Sequence, residues 1–152
     1  MTTTRAVAID LDALGDTRAL WGAWLDSARA VLDVDPDTLP ADRGEAATAL
    51  DEAGAGNWRV LLERFGQDHA PAYLRRDAAT SATLQSLVRE GTTVGVFTDA
   101  PQELARTALA QLGAARRISA LETGTGAFER LLDDIGADAT VIRTRADLLK
   151  RP

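Results

Sequence analysis

The 152-residue chain has no cysteine, one histidine and one lysine, His69 and Lys150. Without cysteine, disulfides, thiol nucleophiles and thiolate metal sites are excluded, so a metal ion would need oxygen ligands or His69. No second histidine accompanies His69, and isolated histidines are poor metal ligands. We therefore expect His69 to lie exposed in a loop before Pro71, and any metal site to be built from carboxylates.

The chain also lacks long apolar runs and an excess of positive charge. No stretch approaches the roughly 20 apolar residues that a membrane-spanning helix needs, and the amino terminus shows no secretory leader pattern. The formal net charge is −6, from 17 basic and 23 acidic residues. This balance opposes nonspecific binding to phosphate backbones. We expect a cytoplasmic protein that binds neither nucleic acid nor membrane.

Two predicted strands have the continuous apolar pattern of buried strands, and both end in polar residues. The apolar run 6–9 leads into Asp10 and Asp12, and the run 93–97 leads into Thr98 and Asp99. Continuous apolar runs of this length are typical of strands covered on both faces of a parallel sheet. Further strands are predicted near 117–121 and 139–143, the last ending at Arg143.

Helical patterns separate these strands. Residues 16–76 have helical periodicity at 16–32, 44–53 and 58–65 and a proline-rich loop at 33–40, with no strand pattern. The alternation elsewhere predicts a three-layer, Rossmann-like α/β fold with a parallel sheet, whose ligands bind at the carboxyl ends of the strands. That edge would collect five polar residues: Asp10, Asp12, Thr98, Asp99 and Arg143.

This arrangement resembles the haloacid dehalogenase superfamily. The resemblance is carried by a strand ending in Asp10-Leu11-Asp12, a helical insert, and a later strand ending in Thr98-Asp99. It is similar to the phosphoglycolate-phosphatase-like branch, which implies an α/β core of residues 1–15 and 77–152 and a small α-helical cap of residues 16–76.

The resemblance also implies roles for individual residues. Asp10 would attack phosphorus to form an aspartyl-phosphate, and Asp12 would act as the general acid and base. Thr98 and Asp99 would bind the phosphoryl group. If a metal ion binds, it would be Mg²⁺ held by Asp10, Asp12 and Asp147.

Two later features depart from the family pattern. Family members place a lysine near the start of the helix after the third strand, but residues 122–130 contain none, and Arg130 lies about one turn too late. The fourth strand normally ends in a metal-binding acid, where this chain has Arg143. A guanidinium there would pair with Asp10 or Asp12 and take the electrostatic place of Mg²⁺. Alternatively, Arg143 points to solvent and Asp138 or Asp147 is the metal-binding acid.

These observations favour a phosphatase-related protein with weak or lost Mg²⁺-dependent phosphomonoester hydrolysis. The alternatives are an active hydrolase of this type and a non-catalytic module that binds a metabolite or a protein. The implied partners are a small phosphorylated metabolite, another protein or a second copy of the chain. Dehalogenase-like chemistry is disfavoured, because that reaction does not need Asp12.

Overall fold

A computed structural model describes residues 5–32 and 34–150, so Asp33 of the predicted loop lies outside the described residues. The core is one parallel sheet of four strands in the order β3-β2-β1-β4. The strands are β1 Ala6–Asp10, β2 Thr93–Thr98, β3 Ala120–Thr123 and β4 Thr140–Ile142. The predicted α/β architecture is therefore confirmed.

Eight α-helices are found in the described residues. They are α1 Leu11–Leu14, α2 Thr17–Ala28, α3 Arg43–Glu52, α4 Trp58–Tyr73, α5 Ala78–Arg89, α6 Gln102–Leu112, α7 Ala127–Ile135 and α8 Arg145–Leu149. Short 3-10 helices form at Pro36–Thr38 and Ala115–Arg117. None of these helices is long and apolar enough to cross a membrane.

Side-chain alternation along the strands separates two layers of packing. Val7 and Ile9 of β1 belong to the main apolar core, which also contains α5 and α6 residues. Ala8 points to the other face and packs in a smaller cluster with Leu131 of α7. Successive strand residues face opposite sides of a sheet, so both faces of β1 are covered. This double burial explains why β1 is a continuous apolar run.

The described part of the insert, 16–32 and 34–76, contains helices and no strand. Its three tryptophans pack in a chain, with ring centroids 5.2 Å apart for Trp21 and Trp24 and 6.0 Å apart for Trp24 and Trp58. All three belong to the same buried cluster as Leu104 and Leu109 of α6. The insert and the sheet layer therefore share one hydrophobic core.

Helix α4 is longer than its apolar pattern predicted. It continues past residue 65 to Tyr73 and includes Pro71. His69 is thus helical, and the loop predicted around it is wrong: its ring stacks on Phe65 one turn earlier, with centroids 4.2 Å apart. Pro71 has no N–H to donate to the carbonyl of Gln67, and the helix ends two residues later, at Tyr73.

Candidate functional site

The carboxyl ends of β1 and β2 open into a shared cleft. Asp10, the last residue of β1, is in register with Phe97, the residue before Thr98. The cleft has a volume of about 340 Å³, and its lining includes Asp10, Thr98 and Asp99. The remaining lining residues come from α2, the loop before α3, β2, the β3–α7 connection and the start of α7. Three of the five residues that the sequence placed at this edge, Asp10, Thr98 and Asp99, thus line one cleft.

Asp10 faces this cleft from the N-terminal cap of α1. Its Oδ1 accepts a hydrogen bond of 3.0 Å from the backbone N–H of Asp12. The side chain is half-buried, and loss of hydration raises the pKa of the Asp10 carboxyl above its usual value. The neighbouring Asp12 charge acts in the same direction, whereas the Asp12 N–H and the arginines Arg18 and Arg143 oppose it.

A buried arginine from the insert lies at the centre of the site. Arg43, the first residue of α3, is 1% exposed. Its Nε donates to Asp99 Oδ1 at 2.8 Å, and its Nη2 lies 3.3 Å from Asp12 Oδ2. Nη2 is also 3.3 Å from Thr98 Oγ1, and Nη1 donates to Thr17 Oγ1 at 2.7 Å. One guanidinium therefore joins α1, the end of β2 and the insert.

Two residues of α2 complete the surroundings of Asp12. Its Oδ1 accepts from the Thr17 hydroxyl at 2.7 Å and from the Thr17 N–H at 3.0 Å. Its Oδ2 lies 3.3 Å from Nε of Arg18 as well as from Arg43. Both carboxylate oxygens of Asp12 therefore have protein donors within reach, and Asp12 is not among the residues that line the cleft.

The start of α3 packs closely against the β3–α7 connection. A Cβ built on Gly44 would lie 2.4 Å from the backbone nitrogen of Thr125 and 2.5 Å from its hydroxyl oxygen. Real side chains do not approach backbone this closely, so only glycine fits at position 44. This contact, next to Arg43 in the chain, holds the start of α3 against the connection that follows β3.

Arg143 does not form the ion pair expected from the sequence. Within the described residues it makes no salt bridge with Asp10 or Asp12, and that prediction is wrong. Its guanidinium lies 5.4 Å from the Phe97 ring centroid and 4.8 Å from the Phe128 ring centroid. Stacking on aromatic faces is a favourable alternative for arginine, and Arg43 and Arg18 already occupy Asp12. Arg143 affects Asp10 only through its charge.

The other two sequence candidates also have local partners. Asp147 is exposed in the first turn of α8, where its N–H bonds the capping hydroxyl of Thr144. Arg130 donates to the carbonyls of Thr123 and Thr125 and so orders the β3–α7 connection. Arg130 therefore does not supply the cation that the missing lysine would provide near Asp10.

The residues present do not fit a Mg²⁺ ion. Mg²⁺ requires near-octahedral oxygen ligands, but both oxygens of Asp12 are engaged by donors. Across residues 5–32 and 34–150, no group of three acidic or histidine side chains is placed to hold a metal. Asp147 does not join Asp10 and Asp12 in such a group. Arg43 and Arg18 add positive charge where a cation would have to bind.

The fold, though not the sequence, matches known proteins. No protein-family model matches the chain, and no curated protein matches it at significant similarity. Among solved structures, it is similar to the crystal structure of a putative beta-phosphoglucomutase from Thermotoga maritima. The TM-score is 0.56 at 15% sequence identity, and the match covers 97% of this chain and 81% of that chain.

This similarity and the sheet topology show a haloacid-dehalogenase-like α/β fold, as the sequence motifs predicted. At such low identity the match establishes the fold alone. The phosphoglycolate-phosphatase-like branch, the treatment of residues 16–76 as a cap, and the roles of Asp10, Asp12, Thr98 and Asp99 remain predictions.

Sequence reasoning missed Arg43, the most connected residue of the site. A weak signal was available, because acidic rather than basic side chains are favoured in the first turn of a helix. An arginine at the first position of α3 therefore needs an acidic partner elsewhere. Its partners, Asp12 and Asp99, are 31 and 56 residues away in the chain, which no local pattern reveals.

Proposed function

We propose that this chain is a haloacid-dehalogenase-like protein in which Mg²⁺-dependent phosphomonoester hydrolysis is weak or lost. The observation that carries the proposal is the buried guanidinium of Arg43, which contacts Asp12, Asp99 and Thr98 together. Under this proposal, the carboxylates at the catalytic positions of the fold serve to hold the insert on the sheet.

The first argument concerns the acid and base step. A general acid must lie within hydrogen-bond reach of the leaving group. Asp12 has Thr17 on one oxygen and two arginines on the other, and it is not among the residues that line the cleft. Leaving-group departure and water attack would therefore proceed without help from this carboxylate.

The second argument concerns charge in the cleft. The lining contains Asp10, Asp42, Asp99 and Glu129 against one arginine, Arg18. Phosphoryl transfer depends on cations that stabilise the charge of the transferring group. Arg43, which pairs with Asp99, adds one further positive charge, but the acidic side chains still outnumber the arginines, so the cleft does not favour a phosphate dianion. A small phosphorylated metabolite as ligand, like a protein partner or a second copy, stays a prediction.

The test is hydrolysis of p-nitrophenyl phosphate with and without Mg²⁺, compared between wild type and Asp10→Asn. We expect the wild-type rate to exceed that of Asp10→Asn by less than about tenfold, because nucleophilic catalysis through Asp10 is weak or lost. The matched control is Asp68→Asn, an exposed carboxylate of α4 that makes no hydrogen bond or ion pair within the described residues.

An active phosphatase would behave differently in the same assay. A Mg²⁺-dependent wild-type rate at least about tenfold above that of Asp10→Asn, with Asp68→Asn unchanged, would contradict the proposal. Such a result would mean that Arg43 leaves Asp12 during turnover and that the alternative hypothesis, an active hydrolase of this fold, is correct.

A further inference from the structure

Away from the candidate site, three arginines surround a second hollow. It lies between α5, the end of α6 and the 3-10 helix Ala115–Arg117, and its volume is about 700 Å³. Its rim carries Arg76, Arg116 and Arg117. We call this feature the arginine hollow. None of its lining residues lines the cleft at the strand ends.

The charge of the arginine hollow is not compensated by the protein. No aspartate or glutamate lines it. None of its three arginines forms a salt bridge with any residue of the described ranges, whereas Arg18, Arg43 and Arg59 each pair with two carboxylates. In a protein of net charge −6, this is a local concentration of positive charge. Such a patch attracts anions.

Two of the guanidiniums are fixed in place by backbone carbonyls. Arg76 Nε donates to Gln111 O at 3.3 Å, and Arg117 Nη1 donates to Gly113 O at 3.2 Å. Gly113 has φ +70°, and a Cβ there would lie 3.1 Å from Arg76 Nε. The glycine therefore allows the close approach of Arg76 to the end of α6. Fixed side chains lose less entropy when they bind a ligand.

Capping of α6 explains only part of this arrangement. Each guanidinium has five N–H donors, and Arg76 and Arg117 each use one of them in a hydrogen bond within the described residues. Arg116 is exposed and makes no such bond there. The hollow also has neutral polar groups from Ser81 and Gln85, and these have no role in ending α6.

We propose that the arginine hollow binds a small organic polyanion carrying at least two phosphate or carboxylate groups. A guanidinium group can bind either kind of oxyanion through two parallel N–H···O hydrogen bonds. Leu109 and Leu112 also line the hollow, but at 4% and 6% exposure they offer little apolar surface, so the guanidinium groups carry the recognition. A volume of about 700 Å³ is in the usual range for small-molecule sites. The proposal does not depend on whether the site around Arg43 is catalytically active.

Calorimetric titration with two probes, inorganic pyrophosphate and citrate, tests the proposal in the presence of EDTA. We expect saturable binding of at least one probe to the wild type, and the tighter probe identifies phosphate or carboxylate as the preferred group. The double variant Arg116→Gln/Arg117→Gln should weaken binding by at least about tenfold, because it removes two of the three guanidinium groups. Arg116→Gln alone, which removes no hydrogen bond, should weaken it in the same direction.

The matched control is Arg64→Gln/Arg89→Gln. It makes the same change in net charge at two exposed arginines that do not line the hollow and form no salt bridge within residues 5–32 and 34–150. Its binding should stay within about twofold of the wild type. The proposal is overturned if neither probe binds saturably, or if both double variants weaken binding equally, since that result indicates general charge attraction.

Discussion

Arg43 and Arg145 each join distant parts of this chain through aspartates, and their contacts differ in burial. Arg43 reaches Asp12 and Asp99 with its side chain only 1% exposed. Arg145 of α8 reaches Asp77, the N-cap of α5, with side chains 57% and 30% exposed. The residues of each pair are far apart in sequence, yet only the Arg43 contact is shielded from water.

The difference shows what a buried charge demands. An exposed pair can exchange its partner for water, so it contributes little to stability. A buried guanidinium has lost its hydration and needs hydrogen-bond partners within the protein. Arg43 has four such partners, Asp12, Asp99, Thr98 and Thr17, and no buried side-chain nitrogen or oxygen in the described residues lacks one. Arg43 is therefore part of the fold's architecture, whereas Arg145 is a surface contact.

The largest effect should come from Arg43→Ala. Removing this guanidinium leaves Asp12 and Asp99 with only the exposed Arg18 nearby, and breaking a buried ion pair costs about 3–5 kcal/mol. We expect a loss of that size in the free energy of unfolding, measured by urea denaturation at neutral pH.

The control for this experiment is Arg64→Ala, an exposed arginine of α4. It should change the free energy of unfolding by no more than about 0.5 kcal/mol. If Arg43→Ala is as mild as this control, the contacts of Arg43 are not structural and the comparison with Arg145 has no basis.

Gly44→Ala should have an intermediate effect. Its Cβ would overlap the backbone nitrogen of Thr125, so α3 must shift, and overpacking of this kind costs about 1–3 kcal/mol. Gly22→Ala in the middle of α2 is the matched control, because its Cβ would meet nothing within 4 Å. That substitution should stabilise the protein by about 0.5–1 kcal/mol. Thermal unfolding of both variants separates the two cases, and stabilisation by Gly44→Ala would contradict the close contact.

The smallest effect is expected for Asp77→Asn, and it should depend on pH. A hydrogen bond from the Thr80 hydroxyl, followed by those from Arg145, lowers the pKa of Asp77 from 3.8 to about 2. A lowered carboxyl pKa stabilises the folded state above the unfolded value of 3.8, and this contribution is lost as pH falls through about 2.

The stability difference between wild type and Asp77→Asn should therefore be present at neutral pH and vanish near pH 2. Unfolding followed by circular dichroism over this pH range measures it. Asp68→Asn, at an exposed carboxylate without an ion pair in the described residues, should show no such trend. A pH-independent difference for Asp77→Asn would rule out the charge interaction as its source.

Much of the fold was predictable because its strongest signals are local. The apolar runs of β1 and β2 end within a residue of their predicted bounds, since both strands are buried on two faces. Strand β3 was predicted at 117–121 but forms at Ala120–Thr123. All four of its residues are only partly buried, so no continuous apolar run marks it, and the preceding residues form a 3-10 helix instead.

The site was predictable only where it follows from strand ends. Asp10 and Thr98 share a cleft because parallel strands end at one edge of the sheet. The cation of the site was assigned to Arg143 from its position after β4, but Phe97 and Phe128 hold that side chain. The structure places Arg43 there instead, through contacts between the insert and the core that depend on tertiary packing.

Calorimetric titration of the wild-type protein with Mg²⁺ tests the central claim most directly. Arg43 and Arg18 occupy Asp12, so the account predicts no saturable heat of binding at millimolar Mg²⁺, with Asp12→Asn indistinguishable from the wild type. Saturable Mg²⁺ binding by the wild type that disappears in Asp12→Asn would contradict it, because the carboxylate would then be free to hold a metal ion.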